Sequence, residues 1–197
     1  AAAARTLEDD IRPIVEVSQA AGVEVEVLSF IGSSAIRMLA EEWNLASMLE
    51  RSRHAIEFAR REGLSVTFVT EDTTRSRPDI LYRLFTNAVE AGAHRLCLCD
   101  TTGHATPDGI RALLRFTTDL LKGLGANVGL DWHGHNDRGM ALTNGLWALQ
   151  WGADRLHGSA LGVGERTGNT SMEQLIMNLR LLGVMEESRD LTDLLDY

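Results

Sequence analysis

Several residue types that mark secreted, membrane or nucleic-acid-binding proteins are scarce in this sequence. It has 2 cysteines among 197 residues, too few for a disulfide framework, and it contains neither a run of about 18 apolar residues nor a signal-peptide pattern. Its 19 Lys and Arg residues form no basic block and are outnumbered by 28 Asp and Glu residues. Because phosphate binding needs clustered basic side chains, the net charge of −9 argues against a nucleic-acid partner. The sequence therefore indicates a cytoplasmic protein without membrane or nucleic-acid partners.

The two cysteines, Cys97 and Cys99, are separated by one residue. In a β-strand their side chains would point to the same face, and a disulfide between them would be difficult to form. Buried free thiols are the expected state, and a metal-binding or redox role is the alternative.

Short apolar runs recur along the chain at intervals of roughly 30 to 40 residues, which is typical of repeated βα units. They predict strands near residues 25–31, 65–70, 95–99, 128–133 and 155–159. Residues 1–5 could be the tail of one more strand. Four amphipathic segments that follow the runs begin with typical helix-start residues, namely Asn44, Pro78, Thr106 with Pro107, and Ser171 with Gln174.

Strict alternation of strand and helix leaves two architectures open, a closed barrel and an open doubly wound sheet. Polar residues decide between them, because every predicted strand ends in a polar cluster, and a barrel brings all such ends to one rim. We therefore predict an incomplete (β/α)8 TIM barrel, comprising about strands 4 to 8 and the end of strand 3. Residues 1–183 would form this partial catalytic domain and residues 184–197 the start of a C-terminal linker.

A candidate metal site lies in the segment from Asp131 to Asp137, where His133 and His135 would project to one side of a strand end. Two surface histidines at a turn are the alternative. A glycine-rich loop one βα unit later contains Asn169, whose amide oxygen is a further donor. Two histidines, an amide and a carboxylate from a strand outside this sequence would suit Zn²⁺, Mn²⁺ or Mg²⁺ as a Lewis acid.

With these motifs, the chain resembles the DRE-TIM metallolyase superfamily, in particular the branch of 2-isopropylmalate, citramalate and homocitrate synthases. Five segments carry the resemblance, which extends from about Arg5 to Gly183: Phe30–Ser34, Thr70–Arg75, Asp100–Gly103, His133–Asp137 (HGHND) and Gly164–Asn169 (GERTGN). The last two motifs together are highly specific. The family's first strand, whose Arg-Asp pair supplies the remaining metal ligand, is absent from these 197 residues, as are its second strand and its C-terminal segment.

The resemblance implies roles for individual residues. His133, His135 and Asn169 would bind the metal, Arg5 and Thr101 the 2-oxo acid, and Glu71 would act with Thr101 in catalysis. For Glu71, an ion pair with Arg75 is the structural alternative. The glycine-rich loop, with Gly164, Glu165 and Gly168, would bind the acyl-CoA. Arg138 stands where the synthases usually have an apolar residue, so it would either contact a more acidic substrate or face solvent.

The implied activity is a metal-dependent condensation of acetyl-CoA with a 2-oxo acid, by a homodimer in amino-acid biosynthesis. Two other functions remain open: a lyase of the same superfamily, and a non-catalytic relative that binds a metal or serves in dimerisation. The lyases typically have a cysteine in the glycine-rich segment, whereas residues 162–169 contain none. The 197 residues alone are expected to be inactive.

Overall fold

The computed structural model describes residues 1–185 and 190–192. Its centre is one sheet of six parallel strands, in which each strand pairs with its neighbour in the sequence. The strands are β1 (Ala2–Arg5), β2 (Val27–Gly32), β3 (Val66–Glu71), β4 (Arg95–Asp100), β5 (Gly129–Gly134) and β6 (Arg155–Leu156). Sequential order without reversal confirms the incomplete (β/α)8 barrel, because a doubly wound sheet changes direction at a switch point.

The predicted strands are confirmed, with one correction at the last of them. Residues 1–5 do contain a strand, β1, which pairs with β2. The strand predicted near 155–159 ends at Leu156, because Ser159 N–H bonds to the carbonyl of Thr170 in the following loop instead of to β5 (3.0 Å). The predicted linker falls partly on residues 186–189 and 193–197, which lie outside the described part of the chain.

Seven α-helices occur in the described residues: α1 (Glu8–Ala21), α2 (Ala35–Ala40), α3 (Leu45–Arg61), α4 (Pro78–Glu90), α5 (Pro107–Gly123), α6 (Ala141–Gln150) and α7 (Met172–Leu181). The side chains of Asn44, Thr106 and Ser171 accept the N–H three residues on, as predicted for N-caps. Helices α1 and α6 gave no start signal, since their N-cap residues, Leu7 and Met140, have no capping side chain. No helix within the described ranges is long and apolar enough to cross a membrane.

The two faces of the sheet differ in chemistry. Most residues turned toward the helices are apolar and fully or almost fully buried, among them Val27, Ile31, Val66, Phe68, Leu96, Leu98, Leu130 and Trp132. They pack with helix residues such as Ile56, Leu84 and Leu114 in one hydrophobic core. The opposite, inner face is polar near both ends of the strands, and this face contains the candidate site.

A charged network fills the inner face near the strand N-termini. Asp131 in β5 is fully buried and accepts hydrogen bonds from Arg95 Nε (2.5 Å) and Arg155 Nε (2.8 Å). Arg155 also donates to both carboxylate oxygens of Glu26 (2.8 and 2.9 Å), next to β2. Since Glu26 and Arg155 flank strands that are four apart in the sheet, the sheet must curve strongly, as in a barrel. The hydrogen bond from Arg155 lowers the pKa of Glu26 to about 2.

We predict that Asp131→Asn lowers the free energy of unfolding by about 3 kcal/mol, because it removes the buried carboxylate that two partly buried guanidinium groups share. Denaturant unfolding followed by circular dichroism measures this change. Asp119→Asn is the matched control, since Asp119 has only a 3.7 Å ion pair with Arg115 on an exposed helix surface; its effect should stay within about 0.5 kcal/mol. Equal effects of the two substitutions would show that the network does not stabilise the fold.

Candidate active site

The inner face and the C-terminal ends of the strands enclose a cavity of about 300 Å³. Strands β1 to β5 each contribute a side chain, the residue after β6 contributes another, and the glycine-rich loop contributes one more. The lining residues are Ala3, Leu28, Phe30, Val69, Glu71, Cys97, Cys99, Thr101, His133, His135, His157 and Glu165. Five sequence-predicted site residues, Glu71, Thr101, His133, His135 and Glu165, are therefore brought together.

His133 and His135 converge on one point. Their Nε2 atoms are 3.1 Å apart, and His135 is only 8% exposed, so the alternative of two surface histidines at a turn is wrong. Two nitrogens that bind one ion at about 2.1 Å are about 3.0–3.4 Å apart, so this spacing is compatible with a shared metal. Burial and the neighbouring His135 and His157 lower the pKa of His133 to about 4. His133 is thus neutral at pH 7 and can offer a lone pair.

Asn169 lies beside this pair, because its backbone forms an antiparallel bridge with His135. Its Nδ2 donates to the carbonyl of Val163 (3.2 Å), whereas its buried Oδ1 has no hydrogen-bond partner among the described residues. His135 Nδ1 is likewise buried and unpaired in the described part of the chain. A buried acceptor without a partner, such as the Oδ1 of Asn169, is uncommon and points to a ligand. A divalent ion would satisfy the amide oxygen, so the donor set fits the metal expected from the sequence.

Two glycines of the loop leave the space that the Asn169 side chain and the loop backbone occupy. A Cβ at Gly164 would lie far inside contact distance of the Asn169 side-chain amide, and a Cβ at Gly168 would collide with the carbonyl of Gly162. Gly168 also has a φ of +97°, which L side chains rarely adopt. These glycines therefore allow the loop to fold around the amide of Asn169. From the sequence they were expected only to contact the acyl-CoA.

Arg166 and Asp137 join the two most specific motifs, and sequence reasoning assigned neither a role. Arg166 donates to both carboxylate oxygens of Asp137 (2.6 and 2.9 Å) and to the carbonyl of Thr101 (2.5 Å). The guanidinium holds the pKa of Asp137 below its usual value. The sequence feature that could have predicted this pair is the opposite charge of the two residues in adjacent strand-end loops. This three-point contact, which we call the rim clamp, fixes the loop with Asn169 against the strand end with His135.

Glu71 lines the cavity at the end of β3, and its partner differs from the predicted alternative. Arg75 donates twice to Asp72 (2.8 and 2.7 Å), whereas Glu71 lies 3.4 Å from Arg37 Nε. Thr101 Oγ1 accepts the N–H of Asp72 (2.8 Å), which places its hydroxyl between the ends of β3 and β4.

Two predicted substrate contacts point elsewhere. Arg5, at the end of β1, donates to both carboxylate oxygens of Asp10 on α1 (2.5 and 2.9 Å). Arg138 donates to the carbonyl of His104 (3.0 Å) and lines a different cavity of about 420 Å³, beside α4 and α5. In this conformation neither guanidinium lines the cavity of His133 and His135.

A second group of potential ligands lies deeper, where Cys97, Asp131 and His157 place one ligand atom each within 4.8 Å of the others. Sequence reasoning had not singled out Asp131 or His157. The carboxylate of Asp131 already accepts hydrogen bonds from Arg95, Arg155 and His157. Although burial opposes the charge on His157, the bond from its Nε2 to Asp131 (2.9 Å) raises the pKa of His157 to about 9.

The chain is similar in sequence to several curated synthases. It is 38% identical over 154 residues to a probable 2-isopropylmalate synthase of Methanopyrus kandleri, 34% over 184 residues to the 2-isopropylmalate synthase of Halothermothrix orenii, and 35% over 181 residues to a homocitrate synthase of Methanocaldococcus jannaschii. These alignments cover 78%, 91% and 90% of the chain, but 30%, 35% and 42% of the relatives. The chain thus spans about a third of the length of the curated relatives it matches.

Solved structures support the fold independently. The hydroxymethylglutaryl-CoA lyase of Pseudomonas aeruginosa superimposes with a TM-score of 0.79 at 22% identity, covering 98% of this chain and 66% of the lyase. The carboxyl transferase domain of Rhizobium etli pyruvate carboxylase gives 0.64 at 16% identity, over 86% of this chain and 26% of that one. At such identities the likeness concerns the fold alone. The sequence profile of the HMGL-like family, which is the DRE-TIM domain, matches residues 1–197, and the chain belongs to this family.

Proposed function

We propose that the protein is part of a metal-dependent acyltransferase that condenses acetyl-CoA with a 2-oxo acid to an alkylmalate-type product. The observation that carries the proposal is the convergence of His133 Nε2 and His135 Nε2 at 3.1 Å in the cavity that Glu71 also lines. The names of the relatives, 2-isopropylmalate, citramalate and homocitrate synthases, support this reaction class.

His133, His135 and the Oδ1 of Asn169 would hold the ion, with one carboxylate from outside these 197 residues. When bound, the ion supplies Lewis-acid polarisation of the 2-oxo acid's carbonyl group. The Thr101 hydroxyl, which lines the same cavity as Glu71, would orient the acid. The loop with Gly164, Glu165 and Gly168 would lie against the acyl-CoA, and Arg5 and Arg138 would have to turn from their present partners to contact substrate.

Glu71 would remove a proton from the methyl group of acetyl-CoA, and Arg37 would orient its carboxylate. The methyl carbon then forms a bond to the carbonyl carbon of the 2-oxo acid, whose oxygen takes up a proton. Hydrolysis of the thioester, in which water adds an OH to the acyl carbon, releases coenzyme A as a free thiol. Release of this thiol makes the reaction measurable and the condensation irreversible.

The proposal also covers the domain bounds, the oligomeric state and the cellular location of the enzyme. Residues 1–183 would belong to the catalytic barrel, residues 184–197 would begin a C-terminal linker, and the full-length protein would act as a cytoplasmic homodimer in amino-acid biosynthesis. Support comes from the biosynthetic names of the relatives and from their greater length.

We expect the full-length protein to release free thiol from acetyl-CoA in the presence of one member of a panel of 2-oxo acids. His135→Ala should abolish this turnover while the fold persists, because metal activation lowers the barrier by several kcal/mol. His104→Ala is the control, since His104 is exposed and lines the other cavity. Near-normal thiol release by His135→Ala with stoichiometric bound metal would refute the ligand assignment. Cleavage of a hydroxyacyl-CoA in place of condensation would favour a lyase.

Glu71→Gln should reduce turnover about 10²–10⁴-fold, the range for loss of a positioned general base, because it keeps the shape but removes the base. Calorimetric titration of the 2-oxo acid should show a much smaller change in affinity. Glu41→Gln is the matched control, since Glu41 also pairs with Arg37 (3.3 Å) but does not line the cavity. A collapse of affinity with a preserved rate at saturation would make Glu71 a binding residue.

Gly164→Ala should weaken metal binding about 10–100-fold, as expected when the group that orients a ligand is disturbed, because the new Cβ displaces the Asn169 amide. Competition with a chromophoric chelator measures the affinity. Gly123→Ala is the control, because a Cβ there meets no atom within 4 Å. Unchanged affinity in Gly164→Ala would argue that Asn169 does not bind the ion.

A further inference from the structure

Two thiols and an imidazole lie near one another on the inner wall of the barrel, beside the His133–His135 pair. Cys97 Sγ is 3.9 Å from Cys99 Sγ and 4.0 Å from His157 Nδ1. Both cysteines are free, buried and part of the lining of the 300 Å³ cavity. Cys97 and Cys99 belong to β4, whereas His157 follows directly after β6.

These separations match those within a thiolate-rich metal site. With metal–sulfur distances of about 2.3 Å and metal–nitrogen distances of about 2.0–2.1 Å, tetrahedral Zn²⁺ places two sulfurs about 3.8 Å apart and a sulfur and a nitrogen about 3.6 Å apart. Cys97 is close to both values. Cys99 does not belong to the group of ligand atoms that already lie within 4.8 Å of one another, so its side chain must rotate toward His157 Nδ1 when an ion binds.

The orientation of His157 gives a second and independent indication. Its Nε2 donates to Asp131 Oδ2 (2.9 Å), so its Nδ1 is the nitrogen turned toward Cys97. Metal-binding histidines almost always donate their other ring nitrogen to a carboxylate or carbonyl, which fixes the ring and its tautomer. Asp131 is therefore better suited to orient His157 than to bind an ion itself, particularly as Arg95 and Arg155 already occupy its oxygens.

We propose that Cys97, Cys99 and His157 form a second cation site, which takes a thiophilic d¹⁰ ion such as Zn²⁺, Cu⁺ or Cd²⁺. Thiolates select soft cations, whereas the imidazole and amide donors of His133, His135 and Asn169 accept harder ones. On binding, the ion displaces the thiol protons and the proton on His157 Nδ1, which pass to the buffer as the metal–sulfur and metal–nitrogen bonds form. An ion held there would narrow the cavity from its deep end.

Titration of the metal-free, reduced full-length protein with Cd²⁺ tests the proposal, because thiolate–Cd²⁺ bonds give an ultraviolet charge-transfer band. We expect a band that saturates at one ion per chain, that is lost in Cys97→Ser and Cys99→Ser, and that persists in the His133→Ala/His135→Ala double variant. His157→Gln should lower the Cd²⁺ affinity at least about 10-fold. Because thiolates prefer the softer ion, Cd²⁺ should displace Zn²⁺ from a Zn²⁺-loaded protein and still give the band.

Protection of the wild-type thiols provides a measurement that does not depend on the folding of a variant. Bound Cd²⁺ should slow alkylation of both Cys97 and Cys99 by N-ethylmaleimide, as determined by peptide mass spectrometry. The proposal is overturned if no charge-transfer band forms, if the band survives both cysteine substitutions in folded protein, or if it disappears in the His133→Ala/His135→Ala variant. Unchanged alkylation rates with Cd²⁺ present would overturn it equally.

Discussion

The buried carboxylate of Asp131 is the point on which the inner face of the barrel depends. It accepts hydrogen bonds from side chains of β4, β6 and the residue after β6, and Arg155 extends the connection to Glu26 before β2. Burial opposes the ionisation of Asp131, but the bonds from His157, Arg155 and Arg95 more than compensate and keep its pKa below the ordinary value. A neutral residue at this position would leave cations facing one another inside a low-dielectric wall. The same carboxylate also sets the direction of the His157 ring.

Above this charged floor, the inner wall changes character along the strand direction. Arg95 lies at the start of its strand, Cys97 and Val69 share the register of Asp131, and Cys99 shares the register of His133 nearer the rim. Polarity thus varies over a few residues of each strand, because alternate side chains of a strand share one face. Thiol and imidazole donors lie close together on this wall, since the rings of His133 and His157 make an edge contact with centroids 5.7 Å apart.

Much of the fold could be predicted from local patterns. Apolar runs located the strands, and Asn44, Thr106 and Ser171 cap the helices that they were expected to begin. The convergence of His133 with His135 followed from the two-residue period of a strand. The directions of Arg5 and Arg138 could not be predicted, since exposed guanidinium groups bond to whichever acceptor folding brings near. Asp131 and His157 were missed because their partners lie up to two strands away, and no sequence spacing encodes that proximity.

The rim clamp joins two loops whose clamp residues are 29 residues apart in the sequence. A substitution in one loop therefore also affects the position of the other. Arg166 presents two nitrogens to Asp137 and a third bond to the carbonyl of Thr101, a planar fork that lysine cannot reproduce. Loss of either charge leaves the other without its partner at the mouth of the barrel, so a substitution at one position changes how the other loop is held. Loops grafted between members of this family should be exchanged as a pair.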